Sequence, residues 1–389
     1  MAQEVASGVE DELPGPEPGA VLVSLPARRA RELRAGAEDL QVAPMRLYRL
    51  ALHRPEIAAA PPAAARGAAL DVVVVSAADG RPLPGAMVTA FTDVALGLGA
   101  RARTRADGTA RLRVGEPAVL ERLYVHGAPD HWTFLRRRVP IGRPVRLALQ
   151  PIDHTVPDGL RVRYGTTRTS TGRGVHTGVH QADLMSYRVF GRGRAEATNF
   201  AIAKAIDTAV GDGCDVVNLS LGGGQADAVV RAAIEEAQEA GVIVVAAAGN
   251  DGRGPVAFPA DLPDVVAVSA LGRTGTYPPS AAGSAERRGP YGHDGADFVA
   301  AFSNVGAIDL TAPGVAIVST VPGGYLDLDG TSMACPAVTG TIARILGGSR
   351  RLRSPPRGPE RAAAVLARLR RRARSLGFPL SLEGDGLAR

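Results

Sequence analysis

Hydrophobic and polar positions change period twice along this chain. Between Leu70 and Gln150 the apolar residues fall into short runs, LDVVVVSA, MVTAFTD, ARLRV, ERLYVHG, WTFLRRRV and VRLALQ. These have the length and alternation of strands with one face in a core. Asp-Gly pairs in DGRPLPGA and ADGTA supply the backbone freedom that tight reversals need. From about Met185 strand-like and helix-like stretches alternate: MSYRVF, EATNFAIAKAIDTAVGDG, CDVVNLSL, ADAVVRAAIEEAQEAG and VIVVAAAGN. VVAVSAL, a Gly/Pro-rich loop over 272–300, IDLTAPG, AIVSTV and a helical MACPAVTGTIARIL follow. Strands alternating with helices predict a parallel sheet covered on both faces.

These period changes divide the chain into four parts. Residues 1–65 are an acidic, then Pro/Ala-rich segment and linker, expected to be partly disordered, with one helix candidate in ARRARELRAGAEDL. Residues 66–150 form a small all-β sandwich and 151–348 an α/β domain. Residues 349–389 are a basic tail in which ERAAAVLARLRRRARSLG reads as an exposed, solvated helix.

Composition narrows the function classes. The 389 residues are 45% hydrophobic but only 4% aromatic, so the core must be built from Ala, Val, Leu and Ile. No apolar run approaches the roughly 18 residues of a membrane-spanning helix. The net charge of +6 rests on arginine, with Lys204 the one lysine, a pattern of GC-rich coding. No aromatic platform or recognition motif accompanies it, which argues against nucleic acid. Cys214 and Cys335 form neither a disulfide framework nor a metal motif. MAQEVASGVEDELPGPEPG is acidic and lacks an apolar signal-peptide core, so the expected location is cytoplasmic.

Three stretches carry chemistry. In DGTSMACPAV, Ser332 opens a helical run, where free N–H groups stabilise developing negative charge; an ordinary Ser/Thr helix cap has the same look. In VVAAAGNDG, Asn250 stands at the carboxyl end of a buried strand, where its amide could donate to an oxyanion; a Gly-Asn turn reads identically. In VVNLSLGGG, the strand ending at Ser220–Leu221–Gly222 offers a backbone edge to an extended peptide, or is a flexible loop.

Taken in order, NLSLGGG, AAAGNDG, FPADLPDVVAVSA, FSNVG, DLTAPG and DGTSMACPAVTG closely resemble the subtilisin-like serine proteases over roughly 178–346. The resemblance implies a subtilisin-like parallel sheet flanked by helices and a peptide or protein substrate. It makes Ser332 the nucleophile and Asn250 the side-chain oxyanion donor, with the Ser332 N–H as the second donor. Ser220, Leu221 and Gly222 become the substrate-binding edge, and the reaction acyl transfer. Calcium is compatible with the family, but no ligand set is complete in loops such as DLDG. The pairing of DGRPLPGAMVTAF with RADGTARLRV resembles transthyretin-like or carboxypeptidase-regulatory-like domains, which implies a docking module without chemistry.

The family's aspartate (D-T-G or D-S-G) and histidine (H-G-T-H) motifs are not identifiable. GVHQADLMSYRVF, from Gly178, sets the register, and the residues upstream of it, PDGLRVRYGTTRTSTGRG, hold no histidine. Asp153 follows Pro151 and lacks the Thr-Gly. His154, His176, His180 and the His293–Asp294 pair sit in no motif that aims them at Ser332; His176 is the best stand-in base. The expectation is a serine endopeptidase with impaired activity. The alternatives are an inactive peptide-binding pseudoprotease or the product of a defective gene.

Overall fold

The computed structural model describes residues 9–12, 21–24, 27–36, 43–51, 53, 56–60, 68–115, 119–152, 182–191, 196–223, 225–321 and 323–388. The predicted all-β region is present as two sheets over one core. Ala68–Ser76 lies between Val145–Leu149, parallel to it, and the antiparallel Thr109–Gly115. The second sheet is antiparallel, in the order Leu98–Arg103, Met87–Asp93, Val119–His126, Phe134–Pro140. Leu70, Val72 and Val74 from one sheet meet Val88, Ala90, Leu123 and Val125 from the other. The spacing of two within each set is the strand period seen in the sequence.

The α/β domain is built on Val216–Leu219, Ile243–Ala247 and Val266–Arg273, joined in parallel. Leu310–Pro313 extends the sheet in parallel, and Asp297–Val299 adds an antiparallel strand. Every residue of Ile243–Ala247 is buried, as a central parallel strand requires. Its side chains divide between two cores. Val244 and Ala246 face the helices Asn199–Gly211 and Ala228–Glu239 through Phe200, Ile206, Val230 and Ile234. Ile243, Val245 and Ala247 face the helix Thr331–Gly347 through Ala334, Val338, Ile342 and Ile345.

Two stretches differ from the sequence reading. The C-terminal helix Pro359–Arg372 is docked, not a loose tail. Val365 and Leu369, four residues apart, enter the same core as Ile342, while Arg361 pairs with Asp215 and Arg370 with Asp309 on the polar face. The residues beyond it cap the sheet: Ser269 Oγ donates to the Leu382 carbonyl at 2.6 Å, and Leu376, Phe378 and Leu387 cover Leu271 and Val299. MSYRVF, expected as a strand, is not one; Leu184 and Met185 are exposed, although Val189 and Phe190 reach the helical core.

The all-β domain is seated on the hairpin made by Ile317–Val321 and Gly324–Leu328. The buried Asp327 carboxylate accepts from the Thr133 N–H at 2.7 Å and from the Thr133 hydroxyl. Asp130 N–H donates to the Tyr325 carbonyl at 2.8 Å, and Leu135 N–H to the Ser280 carbonyl at 2.7 Å.

Candidate functional site

Ser332 stands in the first turn of Thr331–Gly347, and its placement begins with two glycines. Gly330 precedes the helix at φ 150°, and its N–H donates to the Gly314 carbonyl at 2.9 Å. Gly314 cannot carry a side chain, since a Cβ there would lie 2.9 Å from the Gly330 carbonyl oxygen and 2.6 Å from the Ala270 methyl. One turn on, Pro336 has no N–H, so the Ser332 carbonyl loses its intrahelical partner. Ser220 replaces it, donating its hydroxyl to the Ser332 carbonyl at 3.0 Å. Asn218 supports Ser220 in turn, with its amide 2.8 Å from Ser220 Oγ. Backbone chemistry thus couples the predicted nucleophile to the predicted substrate edge.

Asn250 is held against the same helix. Its Oδ1 accepts from Thr331 N–H and from the Thr331 hydroxyl, both at 3.0 Å, which leaves the Nδ2 end to donate elsewhere. Gly249 before it takes φ 107°, and a Cβ there would run into the Asn304 amide. Asn304 fixes the turn, accepting from Asp251 N–H at 2.7 Å and donating to the Pro255 carbonyl at 2.8 Å. Nearby Cys335 is no rival nucleophile, because burial pushes its thiol up to about 12 and Sγ donates to the Val245 carbonyl.

The edge at Leu221–Gly222 is already paired, with this chain's own Leu47–Leu50. Leu221 faces Leu50 and Gly222 faces Arg49 in an antiparallel register. On its other side Leu47–Leu50 pairs antiparallel with Glu196–Thr198, so it is the middle strand of three. The pairing continues past the strand: Ala51 N–H donates to the Ser220 carbonyl and Ser332 N–H to the Ala51 carbonyl, both at 3.1 Å. Ser332 Oγ itself donates to the Ser220 carbonyl at 2.7 Å. Upstream, Asn199 N–H donates to the Arg46 carbonyl at 2.9 Å, and Arg46 approaches the buried Asp227 carboxylate at 3.4 Å. Tyr48, 1% exposed, packs beside Phe258 with ring centroids 6.1 Å apart.

Beyond Ala51 the segment touches a second group of residues. His53 N–H donates to the Asp329 carbonyl at 2.8 Å, and its ring stacks on Phe302 at 4.5 Å. Its Nε2 lies 3.2 Å from Glu286 Oε1. Burial alone would lower the His53 pKa, but the Glu286 hydrogen bond and charge, with Asp329 behind, raise it above the ordinary histidine value. Burial raises the Asp329 carboxyl to about 7, with Asp327 adding to the effect.

Of the other histidines considered from sequence, His154, His176 and His180 lie outside the described residues, as does Asp153. Asp294 is committed to Arg273 at 2.6 Å, and the His293 ring presses on Gly377. Among the described residues no group of three or more His, Cys, Asp or Glu side chains gathers to hold a metal ion, so no calcium ligand set is placed. Residues 47–53 and Glu286 were not singled out from sequence, and Asp329 only as part of DLDG. The one local signal for 47–53 is the short apolar run RLYRLAL between two prolines.

A serine at a helix N-terminus, an amide-bearing Asn at the carboxyl end of a parallel strand and an extended segment between two edges stand together here, in the arrangement expected from the sequence. The chain belongs to the Subtilase family, whose model matches residues 163–363. It is 35% identical to alkaline elastase YaB of Bacillus sp. (strain YaB), covering 42% of this chain and 38% of that protein. With subtilisin DY of Bacillus licheniformis it shares 37% identity, covering 38% of this chain and 48% of that protein. The chain therefore spans less than half the length of these two curated relatives. Among solved structures, the prenylagaramide maturation protease PagA is 28% identical, covers 50% of this chain and 66% of that one, and has a TM-score of 0.39.

Proposed function

We propose that this chain is a subtilase that binds an extended peptide as a strand beside Ser220–Gly222 and turns it over, if processed at Ser332, at a severely impaired rate. One observation carries the reading. A main-chain carbonyl, that of Ala51, accepts the Ser332 N–H, while Ser332 Oγ donates to another carbonyl instead of to a base. In acyl transfer Oγ attacks the peptide carbonyl carbon, a base takes the hydroxyl proton and returns it to the leaving amine, and water then hydrolyses the ester. An amide carbonyl is too weak a base to accept that proton. The binding and oxyanion terms survive without it, whereas loss of triad function costs roughly six orders of magnitude in kcat, about 8 kcal/mol.

A second reading, a pseudoprotease that binds peptides without cutting them, is favoured by the same cleft being filled by the chain's own strand. A fluorophosphonate probe separates the two, since it reacts only with an activated serine. Slow labelling that disappears in Ser332→Ala supports the impaired enzyme. No labelling over days, in Tyr48→Ala as in wild type, supports the pseudoprotease. Labelling as fast as in a competent serine protease would overturn the proposal.

A further inference from the structure

The all-β domain and the 272–300 loop meet at the hairpin that leads to Asp329, and acyl transfer gives that meeting no role. Their meeting point is the short helix Ala282–Glu286. Its first N–H, at Ala282, donates to Thr133 Oγ1 at 3.1 Å, and Thr133 is clamped by the buried Asp327. Gly283 is packed so closely that a Cβ would lie 2.7 Å from Val315 and 3.1 Å from Asp329 Oδ1. At the far end the Glu286 carbonyl accepts from Ala301 N–H at 3.0 Å. The all-β domain thereby helps to fix one carboxylate, 11% exposed, against His53.

That carboxylate faces the peptide on the leaving-group side. If the Ala51 carbonyl occupies the position of attack, Leu52 supplies the leaving amine and His53 is the second residue beyond the bond. His53 is held by three contacts of different kind: main chain to the Asp329 carbonyl, ring to Phe302, and Nε2 to Glu286. The first two accept many residues. Only the third selects charge, because a partly buried carboxylate is stabilised by a cation and penalised by a neutral or acidic neighbour. Arg253 also interacts electrostatically with Glu286, while Asp329, raised by burial to about 7, is largely protonated at pH 6 and leaves Glu286 as the charged partner there.

We infer that Glu286 is a specificity-determining residue, recognising a cationic side chain (His, Arg or Lys) on the second residue past the bond presented to Ser332. The all-β domain is the brace that aims it. The ligand class is therefore an extended peptide with a basic residue at that place, and His53 of this chain is the occupant in the structure. This rests on the reading that residues 47–51 fill the acyl side of the cleft.

Hydrogen exchange on the full chain tests both levels separately. At pH 6, amide exchange resolved at Ala51 and His53 is compared in wild type, His53→Gln, His53→Arg, Glu286→Gln and the double Gln variant. Each single Gln variant should speed exchange at His53 roughly tenfold, the scale of one charge-assisted hydrogen bond. The double variant should add nothing further, and His53→Arg should stay close to wild type. The inference fails if His53→Gln leaves exchange unchanged, or if His53→Arg opens the segment as far as Gln does. Should Glu286→Gln misfold, as a thermal melt would report, the two His53 variants decide alone. Rapid exchange across 47–51 in wild type would instead sink the cleft reading, and this inference with it.

Discussion

Tyr48 gives the sharpest test of whether Leu47–Leu50 is held by the cleft or merely lies near it. Its ring is 1% exposed, set against Phe258 among Ala197, Phe200, Leu219 and Leu221. A buried aromatic removes about 150–250 Å² from water. At about 25 cal/mol per Å² that is roughly 4–6 kcal/mol as an upper bound, and truncations of this kind cost about 3–5 kcal/mol. The hydroxyl works in the opposite direction. Among the described residues the buried Tyr48 Oη has no hydrogen-bond partner, and burial with the nearby Asp227 holds its pKa well above the usual phenol range. An unsatisfied buried hydroxyl costs about 1–3 kcal/mol. Tyr48→Ala should therefore open the segment, and Tyr48→Phe should tighten it.

The assay is hydrogen exchange over residues 47–51 at fixed pH. Tyr48→Ala should speed it by at least a hundredfold, since about 3 kcal/mol corresponds to two decades. Tyr48→Phe should slow it by about fivefold, from the relief of roughly 1 kcal/mol. If Phe opened the segment, the hydroxyl would have to hold a partner, and the packing argument would be wrong. If Ala changed nothing, the strand would owe its place to the backbone alone.

Two further predictions concern the turn that carries Ser332 and the pH response. Ser220→Ala leaves the Ser332 carbonyl without the donor that substitutes for Pro336, and should cost about 1 kcal/mol in a denaturant titration. Restoring an N–H with Pro336→Ala should shrink that penalty; additive losses in the double variant would refute the compensation. For pH, the His53 pKa is raised, so its contact with Glu286 is fully present below about 6.5 and fades as pH rises through the raised value. Asp327 and Asp329 are raised by burial to about 6 and about 7, so each also favours the docked state at lower pH and loses that contribution as pH climbs. Burial lowers the Arg253 pKa from the ordinary arginine value, and its guanidinium interacts electrostatically with Glu286. Protection of residues 51–53 should accordingly fall between pH 6 and 8, and a rise over that window would contradict the assigned partners.

How much of this was legible depended on whether the signal was local. Ile243–Ala247 could be read as a buried parallel strand because every residue is apolar, and Val230, Ile234 and Ala237 repeat at helical spacing. The motifs around Ser332 and Asn250 were legible because a glycine or a small residue is required at fixed offsets by the backbone. Glu286 was not, since its role depends on Thr133 and Asp327 meeting across two domains, and an acid inside AGSAERRG carries no periodic mark. MSYRVF misled for the opposite reason. Its composition favours a strand, but a strand exists only where an edge takes it, and Met185 is exposed here. Leu47–Leu50 combines both difficulties: it is too short to stand alone, and its partners lie at Glu196–Thr198 and Leu221–Gly222.

The covalent connection of that strand changes what an activity measurement means. His53 is tied to the Asp329 carbonyl, and Ala68 begins the strand pairing of the all-β domain, itself seated on the hairpin that leads to Asp329. The segment therefore returns to the cleft from a short tether, and short tethers give effective concentrations on the order of 1 mM. A free peptide of the same sequence at about 10 µM would then compete at roughly one part in a hundred. Silence towards added peptides follows from occupancy alone, whatever the state of the Ser332 hydroxyl. The informative comparison is the fluorophosphonate rate in wild type against Tyr48→Ala, where the strand is displaced and the Oγ–Ser220 hydrogen bond is not altered. An increase confined to Tyr48→Ala locates the block in the strand. Equal and negligible rates locate it at the Ser332 hydroxyl itself, as the impaired-enzyme proposal expects.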